Sequence, residues 1–265
     1  MPRLLVLNPN TTAAMTRAIG AAARAVAAPG TEIVARNPGS GPASIEGPYD
    51  QALCLQPLLA EIARGERDGC AATVIACFDD PGVAAARCLV AGPVIGIAEA
   101  SLRAAAVVAA RFGIVTTVQP AVPGIEELVV RHGAARVCAG VRAADVKVLA
   151  LERPSAVTYR RIRDCAARLL REDAAGAIIL GCAGMSALGP RLARDLGVPV
   201  IDGVGAAVKL AESLLALGLA TSKRGSYATP HPKSANHRGS ARAGGTGTGR
   251  AIAGDAAPTH RRTKK

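Results

Sequence analysis

The chain has 265 residues, half of them hydrophobic, with two Phe, three Tyr and no Trp. It can therefore bury a sizeable, mainly aliphatic core, and it contains no apolar run of the roughly 18 to 20 residues that a membrane span needs. Much of the net charge of +12 lies from Thr221 onward, where ten Lys or Arg accompany one acid; the rest has 22 basic and 19 acidic residues, which excludes a strongly basic nucleic-acid-binding body.

Seven cysteines are spread along the chain without a C-x-x-C pair. An odd number without regular spacing resembles neither a disulfide framework nor a zinc site, so we expect no bound metal. The N-terminus carries one Arg and four apolar residues before an Asn-Pro-Asn turn, which does not resemble a secretory signal. We therefore expect a cytoplasmic protein with no membrane partner.

The first part of the chain alternates apolar, β-type segments with helical ones. Strands are predicted over residues 4–7, 32–36, 74–77 and 95–97. Helices are predicted over residues 13–27, 51–68, 80–90 and 99–111. Asp80 and Pro81 are the expected cap and first turn of the third helix. The long turn-rich loop over residues 37–49 is a candidate functional segment, because loops of this length without structure of their own often carry function.

The same order recurs in the second part of the chain. Strands are predicted over residues 114–117, 137–141, 177–180 and 198–202. Helices are predicted over residues 124–132, 156–172, 186–196 and 206–217. Cys182 follows Cys77 by 105 residues and Pro199 follows Pro93 by 106, which indicates an internal duplication.

This pattern predicts an α/β fold of two similar Rossmann-like domains, each with a parallel sheet, and an active site in the cleft between them. We assign residues 1–98 plus 203–221 to the first domain and residues 99–202 to the second. Residues 222–265 form a basic low-complexity tail, predicted to be disordered beyond about residue 232. The tail lacks the interleaved aromatic residues that stack on bases, so nucleic acid is not an expected partner.

Two cysteines stand where α/β proteins keep their chemistry. Cys77 and Cys182 each end an apolar strand, and ligands of parallel sheets bind outside the carboxyl ends of the strands. A thiolate is a competent base, and the free N–H groups of the helix starts that follow are expected to lower the pKa of each thiol. A single cysteine of this kind is more often a small buried side chain. Two at equivalent places of a repeat favour a catalytic pair.

The other side chains at the strand ends are mostly neutral hydrogen-bonding groups, namely Asn8, Asn10, Thr116 and Thr117, with Gly181 beside them. Such a site suits a small, polar and uncharged ligand. The four histidines lie away from the strand ends, which disfavours a Cys-His hydrolase. The sequence also has no P-loop, no G-x-G-x-x-G after a strand, no H-E-x-x-H and no G-x-S-x-G motif.

Five motifs occur in a specific order within residues 3–230. They are L-N-P-N-T at 7–11, G-P-A-S-I-E-G-P at 41–48, A-C-F-D-D-P-G at 76–82, P-V-I-G-I-A-E-A at 93–100 and L-G-C-A-G-M at 180–185. Together they resemble the hydantoin and allantoin racemases of the aspartate/glutamate racemase superfamily. The resemblance implies a site between two similar α/β domains, no cofactor, a hydantoin or allantoin as small-molecule substrate, and Cys77 and Cys182 as an acid/base pair acting from opposite faces.

By this resemblance, one thiolate removes the proton on ring carbon C5 and the other thiol returns a proton to the opposite face. The backbone amides of Phe78 and Ala183 are candidates to stabilise the enolate oxygen. Ile45 would border the 5-substituent. The groups expected to hold the ring are the polar side chains of Asn10, Thr116 and Thr117. A closed homo-oligomer is the general expectation for such enzymes.

Several alternatives stay open. An amino-acid racemase, maleate isomerase or arylmalonate decarboxylase would use the same scaffold. A decarboxylase needs only one of the two cysteines, and the shortage of cationic residues in the site loops argues against a dicarboxylate substrate. A non-catalytic α/β binding protein would not need the thiols. A nucleic-acid binder acting through its tail would lose steeply salt-dependent binding when residues 233–265 are removed.

Overall fold

The computed structural model describes residues 1–231, which contain two four-stranded parallel sheets. The expectation of a disordered tail concerns residues that lie outside this part. No helix within residues 1–231 combines the length and the apolar character that crossing a bilayer requires.

The first sheet contains the strands β1 (Arg3–Leu7), β2 (Glu32–Arg36), β3 (Ala72–Ile75) and β4 (Val94–Gly96). The helices of this part are α1 (Ala13–Val26), α2 (Pro48–Arg67), α3 (Val83–Leu89) and α4 (Ile97–Val108). The strand order is β2-β1-β3-β4. The central strands β1 and β3 are almost entirely buried, which explains why they are continuous apolar runs rather than alternating ones.

The second sheet contains β5 (Phe112–Thr116), β6 (Cys138–Ala143), β7 (Ala177–Leu180) and β8 (Val200–Asp202). Its part of the chain carries α5 (Val122–Arg131), α6 (Ala156–Glu172), α7 (Gly189–Leu196) and α8 (Gly203–Ala216). The strand order, β6-β5-β7-β8, repeats that of the first sheet. The predicted α/β class with two similar parallel sheets is confirmed.

The two sheets share one aliphatic core. Leu4 and Val6 of β1 belong to the same buried cluster as Phe112 and Ile114 of β5, and helices α1, α4 and α8 contribute to it. Helix α8 follows the second sheet along the chain but packs against β3 and β4 of the first. This packing is in keeping with the assignment of residues 203–221 to the first domain, although the domain boundaries stay a prediction.

Most predicted elements are confirmed with shifts of a few residues at their ends. The single helix predicted over residues 186–196 is wrong, because a 3-10 helix (Ala183–Leu188) precedes α7. Pro190 is the second residue of α7, a position where its missing N–H costs nothing. Three further 3-10 helices were not predicted, at Gln119–Ala121, Val148–Leu151 and Gly225–Tyr227.

The start of the predicted tail lies against α3. Lys223 Nζ donates to the carbonyl oxygens of Arg87, Cys88 and Val90 at 2.5, 3.2 and 2.6 Å, which places a cation at the C-terminus of that helix. The Arg87 guanidinium in turn lies 5.7 Å from the ring centroid of Tyr227. Lys223 and Tyr227 therefore contact the folded body, although the composition of the chain has already changed there.

Candidate functional site

Cys77 and Cys182 occupy equivalent places in the two sheets. Cys77 follows β3 and Cys182 follows β7, each after one intervening residue. The N–H of Asp80 donates to the Cys77 carbonyl at 3.1 Å, and the N–H of Met185 donates to the Cys182 carbonyl at 3.0 Å. The same i to i+3 turn therefore holds both cysteines at the carboxyl edge of their sheets.

One pocket brings the two cysteines together. Its cavity volume is about 40 Å³, within a cleft that is partly open to solvent. This volume lies well below the roughly 300–1,000 Å³ of sites for drug-sized ligands, so the pocket restricts the ligand to a small molecule. All eight predicted site residues line the pocket, while their roles stay predictions: Asn10, Ile45, Cys77, Phe78, Thr116, Thr117, Cys182 and Ala183.

The loop after β1 forms a buried polar wall of the pocket. Asn8 Nδ2 donates to Asn10 Oδ1 at 2.8 Å and to Thr16 Oγ1 at 3.0 Å, and the N–H of Thr12 donates to Asn10 Oδ1 at 2.9 Å. The amide oxygen of Asn10 therefore caps the loop. Among the described residues its Nδ2 donates only to the sulfur of Met15, at 3.4 Å, and is the donor left for a ligand.

The end of β5 forms the facing polar wall. Thr116 and Thr117 are both buried, and Thr116 Oγ1 donates to the Gly181 carbonyl at a long 3.5 Å. Gly181 runs so close to β5 that a Cβ there would lie 2.9 Å from the Val115 carbonyl oxygen. A larger residue at Gly181 would push β7 away from β5 and displace the cysteine that follows.

The prediction that helix starts lower the pKa values of the two thiols is wrong. Burial raises the pKa of Cys77 well above its ordinary value, and the Asp79 carboxylate raises it further. Burial also raises the pKa of Cys182 to about 12. The backbone N–H groups of Asp79 and Gly184 bond the two sulfurs and favour the thiolates, but desolvation outweighs them. Burial therefore favours the thiol form of both groups in the empty pocket.

Asp80 caps a different helix from the one expected. Its carboxylate oxygens accept hydrogen bonds from the N–H groups of Ala98 and Glu99 at 3.0 and 2.9 Å, at the first turn of α4 rather than of α3. Gly82, with φ of +69°, occupies the N-cap position of α3 instead. The chain just after Cys77 is thus tied to the helix that follows β4. Gly96 leaves room for this carboxyl, because a Cβ there would lie 2.1 Å from Asp80 Cγ.

A related set of hydrogen bonds to a carboxylate is found after the second sheet. Asp202 accepts hydrogen bonds from the N–H groups of Val204 and Gly205 at 3.2 and 3.0 Å and so caps α8. Ser186, in the 3-10 helix after Cys182, donates its hydroxyl to the same carboxylate at 2.5 Å. In both halves, therefore, the loop that carries the cysteine is fastened to the start of the helix that follows the edge strand.

The long loop before α2 covers the pocket. Ile45 is buried in the pocket wall together with Val148 of the second half. The N–H of Val148 donates to Glu46 Oε1 at 2.8 Å, and the N–H of Glu46 donates to Asp50 Oδ2 at 3.0 Å. A single hydrogen bond to a carboxylate thus joins the covering loop to the 3-10 helix on the other side of the pocket.

Several lining residues were not predicted as site residues. Met15, Ala121 and Val148 supply apolar surface, and their positions within or before helices give no sequence signal for a site. Asp79 was not predicted as a site residue either, although its place two residues after Cys77 could have indicated it. Gly184, at the same distance after Cys182, belongs to the lining as well.

The pocket has one carboxylate and little other charge. Of the described residues that line it, none is Lys, Arg or His, and Asp79 is the acid among them. Within residues 1–231 no group of three or more His, Cys, Asp or Glu side chains is placed to hold a metal ion. The groups that the chain offers to a ligand are therefore two thiols, a carboxyl, neutral amides and hydroxyls, and backbone N–H groups.

Known proteins share this sequence and fold. The family model described as Asp/Glu/Hydantoin racemase matches residues 4–211. A hydantoin racemase of Rhizobium meliloti is 50% identical over 230 residues, which are 87% of this chain and 95% of that protein. A hydantoin racemase of Pseudomonas sp. strain NS671 is 44% identical over 87% of this chain and 93% of its own.

A solved structure has a similar fold. The allantoin racemase from Klebsiella pneumoniae superposes with a TM-score of 0.86 at 52% sequence identity. The match covers 88% of this chain and 95% of that one. The similarity therefore spans both sheets and the pocket between them, and not one sheet alone.

Proposed function

The chain belongs to the Asp/Glu/hydantoin racemase family, and we propose that it is a cofactor-independent racemase of 5-substituted hydantoins, with allantoin among the candidate substrates. The observation that carries this proposal is the pair of thiols, Cys77 and Cys182, which end equivalent strands and line one pocket. Inversion at a carbon needs a base on one face and an acid on the other. The two equivalent loops, which bring one thiol from each sheet to the same pocket, support this proposal.

In the proposed mechanism, the thiolate of one cysteine removes the proton from C5 of the ring. The electron pair left on C5 is delocalised onto the adjacent C4 carbonyl oxygen as an enolate. The thiol of the other cysteine then donates its proton to the opposite face of C5, which gives the mirror-image product. The backbone N–H groups of Phe78 and Ala183 are the proposed donors to the enolate oxygen, where hydrogen bonds lower the barrier most.

The pocket wall suits a neutral, polar ring. Asn10 offers Nδ2, and Thr116 and Thr117 offer hydroxyls, whereas Ile45 and Val148 provide apolar surface for the 5-substituent. The lining within the described chain has no guanidinium or ammonium group to pair with substrate carboxylates. This favours a hydantoin over the amino acids and dicarboxylates that other members of the superfamily would bind.

The proposal is tested with the full-length enzyme without added cofactor and in the presence of EDTA. L- and D-5-substituted hydantoins and allantoin are incubated in D₂O, and optical rotation and the C5 proton signal are followed. We expect each enantiomer to lose its rotation and gain deuterium at C5. Absence of exchange with every hydantoin, together with turnover of an amino acid or maleate, would contradict the substrate class.

The contact between Glu46 and Val148 is expected to set substrate affinity. Glu46→Ala removes the acceptor that holds the covering loop, a bond to a charged group of about 1.5–3 kcal/mol, so KM should rise about tenfold or more with a smaller change in kcat. Glu46→Gln is the matched control, because it keeps an acceptor and loses only the charge. Equal increases in KM for both variants would show that the charge matters and the hydrogen bond does not.

The cellular setting is also a proposal. All seven cysteines are free, which agrees with the reducing cytoplasm proposed for this protein. We also propose a closed homo-oligomer, the usual state of soluble enzymes that associate with themselves.

A further inference from the structure

The two cysteine loops differ at one chemically important position. The residue two places after Cys77 is Asp79, whereas the residue two places after Cys182 is Gly184, and both line the pocket. The loops otherwise share the same turn, and each is hydrogen-bonded to the start of a neighbouring helix or to the residue that caps it. The surroundings of the two thiols are thus similar except for one carboxylate, which lies next to Cys77.

Asp79 contacts Cys77 directly. The Cys77 thiol donates to Asp79 Oδ2 with a sulfur to oxygen distance of 3.9 Å. A carboxylate that accepts the S–H stabilises the thiol, and its negative charge opposes the formation of a thiolate beside it. After burial, the Asp79 carboxylate has the largest effect on the pKa of Cys77, and it raises that pKa. For Cys182, the largest effect after burial is the hydrogen bond from the backbone N–H of Gly184, which lowers the pKa. Asp79 also raises the pKa of Cys182, but by a smaller effect.

Among the described residues, no titratable group around this contact opposes the effect of the Asp79 carboxylate on Cys77, and the backbone N–H of Asp79, which favours the thiolate, has a smaller effect. Cys54 and Cys182 are the other titratable groups that act on Cys77, and both would add negative charge if they ionised. Glu46 acts on Cys182, and Gln51 is a neutral partner of Asp79. The carboxyl of Asp80 is engaged with the first turn of α4. The described lining contributes no cation that could neutralise Asp79.

We propose that Asp79 is a positioning residue that makes the two thiols unequal: its carboxylate holds the proton on Cys77, so that Cys182 is the first of the pair to become a thiolate. This inference rests on the proposed function, in which the two thiols are the acid and the base. It adds an assignment of which of the two thiols ionises more readily and so acts first as the base.

The proton balance of the cycle follows from this assignment. The Cys182 thiolate takes the C5 proton of one enantiomer, and Cys77 gives its own S–H proton to the opposite face. The enzyme is left with a Cys182 thiol and a Cys77 thiolate 3.9 Å from the Asp79 carboxylate, which is the less stable form. It either acts on the other enantiomer in the reverse direction, or Cys77 takes a proton from solvent while Cys182 releases one.

The test measures the ionisation of Cys77 without any substrate. Full-length Cys182→Ser protein, with Asp79 retained or replaced in Asp79→Asn, is treated with iodoacetamide across a range of pH, and labelling of the Cys77 peptide is followed by mass spectrometry. Loss of the carboxylate should move the pH of half-maximal reactivity down by about one pH unit or more. In the protein with both cysteines, Asp79→Asn should move the acidic limb of kcat/KM in the same direction.

Three controls separate this effect from a structural one. Asp79→Glu keeps a carboxylate and should restore much of the original midpoint, while the Cys88 peptide of the same samples should react identically in every protein. Asp79→Ser gives a second neutral variant if Asp79→Asn does not fold, as judged by circular dichroism. Cys77 profiles that coincide with and without the carboxylate, whether rising or flat, would overturn the proposal, as would a shift to higher pH.

The outcomes also separate this inference from the proposed function. Alkylation needs no turnover, so the midpoint can shift even if the protein racemises nothing, and in that case only the proposed function fails. If both single cysteine variants are inactive but Asp79→Asn leaves the alkylation midpoint unchanged, the two-thiol mechanism stands and the role of Asp79 fails.

Discussion

Replacement of either Cys77 or Cys182 by serine is expected to lower the rate of racemisation by about 10²–10⁴-fold. Serine keeps the size of the side chain, but its hydroxyl does not ionise in the range where a thiol does, so the replaced group serves neither as base nor as an efficient acid. Each variant should still exchange the C5 proton of one enantiomer with D₂O, because the remaining thiol lies on one face of the ring. Optical rotation and proton NMR measure the two rates separately.

Cys88→Ser is the matched control for these variants. Cys88 is half-buried and does not line the pocket, and its sulfur donates to the carbonyl oxygens of Ala84 and Ser226, both at 3.3 Å. A serine hydroxyl can make the same bonds, so activity should be unchanged. Full activity of both the Cys77 and the Cys182 variant would mean that the pair is structural and that the proposed mechanism is wrong.

Asp80→Ala is expected to lower the free energy of unfolding by about 3 kcal/mol and to reduce activity. Asp80 is buried, and its carboxyl oxygens accept from two backbone N–H groups of α4. Burial raises the pKa of this carboxyl to about 7, so it is not fully ionised at neutral pH. The expected loss comes from the two N–H groups left without an acceptor, at about 1–3 kcal/mol each. Its φ of +45° lies in the left-handed region, which Asp tolerates better than Ala. Urea unfolding followed by circular dichroism measures the loss.

Two comparisons make this prediction specific. Asp202→Ala removes an N-cap of α8 that is adjacent in sequence to its own helix, and a loss of about 1 kcal/mol is expected. Gly96→Ala keeps Asp80 itself but adds a methyl group where the Asp80 carboxyl lies. It should therefore displace the carboxyl from α4 and destabilise the protein in the same way as Asp80→Ala. An Asp80→Ala protein as stable as Asp202→Ala would show that the bond across to α4 contributes little.

The fold could be predicted from the sequence because its signals are local. Continuous apolar segments such as β3 and β7 are typical of strands buried on both faces, and the helices between them have their own periodicity. The recurrence of Cys77 and Pro93 as Cys182 and Pro199 exposed the repeat. The strand-end rule was also enough to collect Asn10, Thr116 and the two cysteines, since parallel strands end at one edge of a sheet.

What could not be predicted depends on contacts between distant segments and on depth of burial. Glu46 and Val148 are 102 residues apart, and no local pattern links them. Asp80 lies next to a plausible cap position for α3, yet the folded chain brings α4 closer to its carboxylate. The pKa of Cys77 was expected to fall because the sequence shows a helix start but not how strongly the surrounding protein desolvates the sulfur.

The aliphatic interior common to both sheets has a consequence for how the enzyme keeps its geometry. The two thiols are held by loops, but the loops are carried by strands whose spacing depends on side chains such as Phe112, packed among residues of β1. We therefore expect the distance between the two sulfurs to depend on the volume of side chains far from the pocket. Substitutions on the outer surface are expected to leave catalysis unchanged, whereas a change of volume in that interior is expected to alter the reaction although it touches neither cysteine.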